Sequence, residues 1–342
     1  MHKKNRRRRQ WRKLSRSRRV GPIRSVDHFE VIQGVSVGGA TLKDVLCDPK
    51  TGRMFIAKTG RRNNDLEVMT EYAIYVIGRS IGVRVARAQI ARFRGKLRFL
   101  SEYFLDQSSA EELVHGVQLF RELYDDTTVR EIVGQESKEQ SFFTVQAVKA
   151  AFGAHYLHLG VDVEERLFDD FVAMLTHDAL IGVQDRHHEN WGVIVRREIE
   201  ATPPRFAPLY DSARGLFCSY ADGRLGEFFG RRGSAKIDDY VRRSRPLVGF
   251  QGLIPTDGRK HITHTQLLAA VYKAYPSQQS KIEAVLDAYD WQTVRNGIKG
   301  ELGGLCTSRR LRLFLVCVRR RLKEIRKALK ASKNAADILE RE

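Results

Sequence analysis

The 342-residue chain carries 60 Lys and Arg against 41 Asp and Glu, a net charge of +19, with 42% hydrophobic and 9% aromatic residues. That apolar share is enough for a sizeable core, and it excludes a disordered chain, a collagen-like repeat or a coiled-coil rod as a description of the whole. The charge sits at the ends: residues 1–24 hold 12 Lys/Arg and no acid, residues 308–342 hold 12 against 4 acids, and the body between them is nearly neutral at −1.

The four cysteines (Cys47, Cys218, Cys306, Cys317) form no CxxC pair, which speaks against a disulfide scaffold or a cysteine zinc site and for a reducing, cytoplasmic setting. No apolar core follows the basic N-terminus, and the run Leu313 to Val318 is too short to span a bilayer, so no transmembrane segment is expected.

Residues 1–24 lack apolar periodicity and read as a disordered basic tail. Strands are predicted over His28–Val37, Ala40–Cys47 and Arg53–Thr59, the last two joined by the turn Asp48-Pro49-Lys50-Thr51-Gly52. A helix capped by Asn64 or Asp65 runs to about Ser80, with Leu66, Met69, Ala73, Val76 and Ile77 on one face. Arg84–Phe93 and Lys96–Phe104 read as two further strands joined at Arg94-Gly95. Helices are then expected over Ala110–Leu123, Thr128–Val133, Phe142–His155 and Glu164–Ile181, interrupted by the β-like patches Trp191–Arg196 and Arg205–Leu209. The chain reads as loop-rich to about residue 260 and helical afterwards. The plan is α+β and bilobal: a small β-rich lobe over 25–107, a larger helical lobe over 108–307 and a basic amphipathic helix over 308–342. Ligands commonly bind between two such lobes.

The strongest chemical signal is Asp185-Arg186-His187-His188-Glu189-Asn190, a polar loop between a helix and an apolar strand. Phosphoryl transfer needs an acceptor for the incoming hydroxyl's proton and an oxygen ligand for Mg²⁺, and D-x-x-x-x-N supplies both. About 20 residues on, Asp211 ends a second strand, where phosphoryl transfer of this kind places its main metal-binding Asp. Alone, the first pair is also compatible with a capped polar turn. Adjacent histidines on a loop point different ways, so His187 and His188 do not read as zinc ligands.

Upstream, Val35 to Lys43 is a small-residue loop whose backbone N–H groups suit phosphates, although an ordinary hairpin would look the same. Lys58 lies in the apolar strand Met54-Phe55-Ile56-Ala57-Lys58, where a lysine is costly unless paired, and Glu71 on the next helix is the candidate partner. Without that partner Lys58 would be a strand-end lysine reaching solvent. Phe99 to Phe104 ends the β-rich part, placing Glu102 and Tyr103 where a hinge would bond adenine.

Together these motifs resemble the HipA-like kinases, bacterial Ser/Thr kinases with a protein-kinase-type fold. Ser36-Val37-Gly38-Gly39-Ala40-Thr41-Leu42-Lys43 is similar to the family's S-[IV]-[AG]-G-A-Q-x-K loop, with Thr41 in place of Gln. Glu71 with Gly82 resembles the helix bearing the ion-pairing Glu, Asp185-x-His187-x-x-Asn190 the D-x-H-x-x-N loop, and Pro208-Leu209-Tyr210-Asp211 the P-x-Y-D motif. The resemblance spans roughly residues 27–215 and is closer to the short members that lack an N-terminal subdomain. It implies Asp185 as catalytic base, Asn190 and Asp211 as Mg²⁺ ligands, and Lys58, held by Glu71, on the ATP phosphates. It also implies Ser36, Gly38 and Gly39 in the phosphate loop, with Ser36 as an autophosphorylation site that shuts off ATP binding. A toxin-type kinase acting on a translation-related protein substrate, and an antitoxin partner, belong to the same implication. D-R-H-x-x-N is also similar to the loop of phosphatidylinositol kinases, which keeps a lipid or small-molecule acceptor open.

The basic tail would bind polyanions, with nucleic acid or a ribonucleoprotein as the expected target and Trp11 able to stack on a base; an anionic membrane surface or a solvated tail without a specific role are the alternatives. Leu311, Leu315, Val318, Leu322, Ile325 and Leu329 form one apolar stripe, expected to dock the last helix on the larger lobe, with a partner helix or membrane surface as alternatives. The rival from another class is a nucleic-acid-binding module on a degenerate kinase fold.

Overall fold

The computed structural model describes residues 23–33, 43–60, 65–121, 123–133, 140–196, 202–255 and 261–339. The small lobe grows from two tight hairpins. Asp48 builds the first: its carbonyl accepts from Gly52 N–H, its carboxylate accepts from Lys50 N–H and Thr51 Oγ1–H, and Gly52 supplies the required positive φ of 68°. This turn joins β2 (Lys43–Cys47) to β3 (Met54–Lys58). In the second hairpin Arg94 and Gly95 both take positive φ, 50° and 74°, and join β4 (Ala88–Phe93) to β5 (Lys96–Glu102).

With β1 (Glu30–Val31), these strands form an antiparallel sheet of order β1-β2-β3-β5-β4. Between β3 and β4 the chain makes α1 (Asp65–Ser80), as predicted; it buries Val68, Ala73, Ile74, Val76 and Ile77. Period-2 alternation puts Leu46, Phe55, Ala57, Phe93 and Leu100 into one core on the sheet.

The larger lobe is laid around one long helix. After α2 (Gly116–Phe120), α3 (Asp126–Ile132) and α4 (Val145–Tyr156), α5 (Val161–Ile181) runs through the centre, and every residue from Met174 to Ile181 is buried. Gly182, at φ 74°, ends it in a left-handed cap, and the catalytic-loop candidate begins there. A three-stranded sheet of order β6-β7-β8 lies alongside: β6 (Glu111–His115), β7 (Gly192–Arg196) and β8 (Arg205–Phe206). The C-terminal part adds α6 (Gly233–Arg243), α7 (His264–Ala274), α8 (Gln279–Asp287), α9 (Trp291–Leu302) and α10 (Ser308–Leu339). The result is bilobal and α+β, as the pattern predicts.

One local expectation is overturned. Ala110–Leu123 is not one helix: Glu111–His115 is strand β6, paired to β7 with Glu111 opposite Arg196, and only Gly116–Phe120 is helical. Glu111 also binds Arg205 at 2.7 Å, so cross-strand partners far away in sequence decide the state of a segment whose spacing also fits a helix. The stretch before residue 260, loop-rich as expected, also carries α6 over Gly233–Arg243, which buries little besides Ile237 and Val241, too short a signal to read from sequence. The part of the first predicted strand beyond residue 33, and the start of the second before Lys43, lie outside the described residues.

The stripe predicted on the last helix is the face that docks. Leu311, Leu315, Val318, Leu322, Ile325 and Leu329 are all buried and join the main core with Leu313 and Phe314. No helix among the described residues is long and apolar enough to cross a membrane. Because Phe314 is fully buried, Phe314→Ala should cost about 3–5 kcal/mol in chemical denaturation. A loss below about 1 kcal/mol would show that α10 is not part of the core.

Candidate active site

Lys58 ends β3 pointing into the cleft between the lobes, and two carboxylates meet it there. Its ammonium lies 2.7 Å from Glu71 Oε1 on α1 and 3.1 Å from Asp211 Oδ1. Burial alone would lower the Lys58 pKa, but the charges of Glu71 and Asp211 outweigh it and hold the ammonium raised. Lys43, the first residue of β2, takes the other oxygen of Asp211 at 2.9 Å. Burial would raise the Asp211 carboxyl, yet the two lysines hold it far below the ordinary range, so a carboxylate is fixed between two ammonium groups.

The cleft encloses about 740 Å³ and is lined from the small lobe by Lys43, Ile56, Lys58, Glu71 and Tyr103 and from the large lobe by Asp185, His187, Asn190 and Asp211. Asp185 is pushed up to about 6, mainly by burial and next by the charge of Asp211, and its Oδ1 is buried without a partner among the described residues. The Asn190 side-chain N–H donates to the Asp185 carbonyl at 2.7 Å, which closes the loop on itself and leaves the amide oxygen without a protein partner among the described residues.

Arg186 holds this loop in place. Its guanidinium is buried and donates five hydrogen bonds: two to Asp178 at 2.8 and 3.0 Å, one each to the carbonyls of Asn190 and Tyr210 at 2.8 Å, and one to Ser212 Oγ at 2.6 Å. A guanidinium has five N–H donors, so none is left over. One side chain thereby ties α5, the Asp185–Asn190 loop and the Tyr210–Ser212 segment together. The Tyr210 hydroxyl lies 3.0 Å from both His115 Nδ1 and the Glu189 carbonyl, adding a second tie at the cleft wall.

The sequence-predicted residues Lys58, Glu71, Tyr103, Asp185, Asn190 and Asp211 thus meet in one cleft. Glu102 does not line it: it closes β5 opposite Phe55, and its N–H and that of Tyr103 are taken by the carbonyls of Arg87 and Met54. The wall continues instead through Phe104 and Leu105. Ser36, Gly38 and Gly39 lie outside the described residues. His187 and His188 diverge, with His187 facing the cleft and His188 packed 4.7 Å from the Phe143 ring.

Arg186, Asp178 and Lys43 were not singled out by the sequence argument. Asp178 carried a signal, being a carboxylate inside the apolar run Met174 to Ile181, where burial demands a cationic partner. Lys43 closes the small-residue loop, and Arg186 sits inside the catalytic-loop motif itself.

The oxygen donors suit a hard cation. Among the described residues there is no cluster of three or more His, Cys, Asp or Glu able to hold a metal unaided. A kinase-type Mg²⁺ needs no such cage, because one or two protein ligands are completed by phosphate and water. The carboxylate of Asp211 and the side-chain oxygen of Asn190 fit that arrangement.

A family model described as the HipA-like C-terminal domain matches residues 35–222. Among solved structures, the Helicobacter pylori proinflammatory kinase CtkA is similar at a TM-score of 0.67 and 16% identity, covering 92% of this chain and 99% of that one. HipA of Shewanella oneidensis MR-1, solved with HipB and its operator DNA, is similar at a TM-score of 0.50 and 11% identity, covering 96% of this chain and 72% of that one. A comparison with curated proteins finds no match.

Removing one partner of a buried ion pair strands the other, so Asp178→Asn should cost about 3–5 kcal/mol at pH 7. Asp178 is held at about 2 against an ordinary 3.8, so its contribution is complete above the unfolded value and lost as pH falls through the folded one. The stability gap between wild type and Asp178→Asn should therefore shrink by about 2 kcal/mol from pH 4 to pH 2 in urea titrations. A gap that does not change with pH would refute the paired carboxylate.

Proposed function

The chain belongs to the family of HipA-like kinases, and from that premise we propose that it is an ATP- and Mg²⁺-dependent serine/threonine protein kinase. The observation that carries this reading is the bridge of Lys58 between Glu71 and Asp211, beside Asp185 and Asn190 in one cleft. Asn190 and Asp211 would hold Mg²⁺, which neutralises charge on the phosphoryl group as it transfers. Were Asp211 to hold the metal, the ammonium groups of Lys58 and Lys43 would stand where phosphate oxygens could meet them. Asp185 accepts the proton of the attacking Ser or Thr hydroxyl, and its raised pKa matches a base that must take up a proton during transfer.

The family resemblance supports two finer proposals. Ser36 in the small-residue loop is the autophosphorylation site, and the substrate is a translation-related protein, as for a toxin-type kinase. An antitoxin partner is proposed on the same ground, since the Shewanella relative was solved with HipB and operator DNA. The basic segment 1–24 is proposed to hold nucleic acid or a ribonucleoprotein, because its 12 Lys/Arg face no acid of their own.

Purified protein incubated with γ-labelled ATP and Mg²⁺ should label itself at Ser36, mapped by mass spectrometry. Asp185→Ala should bind ATP with little change and lose transfer by about 10³-fold or more. A fully active Asp185→Ala would remove the base assignment, and phosphate found only at other residues would remove Ser36. Deleting residues 1–24 should weaken retention on nucleic acid at low salt and flatten its salt dependence while leaving phosphotransfer untouched. Unchanged retention would refute the role of the tail.

A further inference from the structure

Protein kinases work only when the helix bearing the ion-pairing Glu and the segment after the metal-binding Asp are both in place, and these are the elements that regulation usually moves. Here each is fastened by a side chain from the C-terminal helices.

The first fastening acts on α1, which carries Glu71. Glu301 of α9 accepts from the Tyr72 hydroxyl at 2.6 Å through Oε2 and pairs with Arg79 through Oε1. Tyr72 is the residue next to Glu71, so the carboxylate on α9 holds α1 immediately beside the functional position. Gly297, one turn earlier on α9, lies where α1 brings Val76 and Ser80 against it; a Cβ there would sit 3.1 Å from both side chains. Cys306 Sγ lies 3.5 Å from Met69 Sδ on the same helix.

The second fastening acts on the segment that begins at Asp211. Asp211, Leu216 and Phe217 all have positive φ, at 50°, 44° and 63°, conformations that bulky L-residues adopt only under constraint. Arg310 of α10 holds the Phe217–Asp222 part of this segment. Its fully buried guanidinium donates to the Phe217 carbonyl at 3.2 Å, to the Tyr220 carbonyl, and to Asp222 Oδ1 at 2.8 Å. Thr307 donates to the other oxygen of Asp222 at 2.8 Å. From the opposite side Phe217 N–H donates to the Tyr240 hydroxyl at 2.9 Å, and the two rings stack at 3.6 Å.

We infer that Glu301 and Arg310 are positioning residues for phosphotransfer: through them the C-terminal helices α9 and α10 hold α1 and the 211–222 segment in the working arrangement, so that phosphorylation of that segment is not needed for activity. The inference rests on the phosphotransfer reading of the cleft. Glu301 acts through Glu71 and Lys58, and Arg310 acts through the backbone that leads back to Asp211. Neither reaches the reacting atoms.

The test uses the full chain after phosphatase treatment, with Glu301→Ala, the swap Arg79→Glu with Glu301→Arg, and Arg310→Gln. Asp222→Asn stands in if Arg310→Gln fails to fold. Transfer from γ-labelled ATP is read as kcat and KM separately, alongside thermal midpoints and amide hydrogen exchange. Dephosphorylated wild type should be active. Glu301→Ala should lower kcat by about tenfold with its thermal midpoint nearly kept, and the swap should recover most of that loss. Exchange should rise by about tenfold, confined to residues 65–80 for Glu301→Ala and to 212–222 for the Arg310 or Asp222 variant. Unchanged kcat in the variants, no recovery in the swap, or wild type active only when residues 212–222 are phosphorylated would each overturn the inference. So would unaltered exchange in the target segment. Wild type without any transfer would instead remove the phosphotransfer reading, and the exchange data would still decide whether the two fastenings exist.

Discussion

The site depends on one buried guanidinium. Arg186 has no solvent contact of consequence and no spare donor, and its partners come from three parts of the chain that must meet for the cleft to exist. A buried ion pair adds little net stability over a well-packed apolar pair, but removing one member is costly. Such an arrangement serves geometry more than stability: it fixes where the Asp185–Asn190 loop stands relative to Asp211, with the Asp185 Oδ1 left without a partner among the described residues.

The electrostatics of the cleft follow from that placement. Both carboxylates are buried, but Asp211 faces Lys58 and Lys43, whereas Asp185 has no lysine against it and lies near the like charge of Asp211. Two carboxylates in one site are thus pushed in opposite directions, a separation that suits the metal-binding and proton-accepting roles proposed for them. The lobes are joined behind the cleft as well, where Leu209 exchanges backbone hydrogen bonds with Arg84 and Ala86 at 2.8 and 2.9 Å just before Asp211. The segment that leads to Asp211 is therefore pinned to the small lobe as well as to α5.

Much of this was legible because local chemistry announces itself. Asp48 to Gly52 and Arg94-Gly95 have turn residues where turn geometry needs them, α1 has a clean apolar face, and Lys58 in an apolar strand called for a partner that Glu71 supplies. The α10 stripe likewise matched the face that docks. What stayed hidden depends on residues far apart in sequence. Glu111 becomes strand because β7 and Arg205 meet it, and the roles of Arg186, Glu301 and Arg310 exist only after distant helices pack. At the expected hinge the strand end decides which residues face the cleft: Glu102 stays in β5 opposite Phe55 and Tyr103 lines the wall.

The central claim is that the carboxylate now clasped by two lysines is a metal ligand in a nucleotide cleft. The direct test is a crystal structure with Mg²⁺ and a non-hydrolysable ATP analogue. The account predicts the metal on Asp211 and Asn190, the lysine ammonium groups turned to phosphate oxygens, and Arg186 unmoved with its five bonds intact. A nucleotide bound elsewhere, or Asp211 still held by both lysines with no metal beside it, would contradict the account.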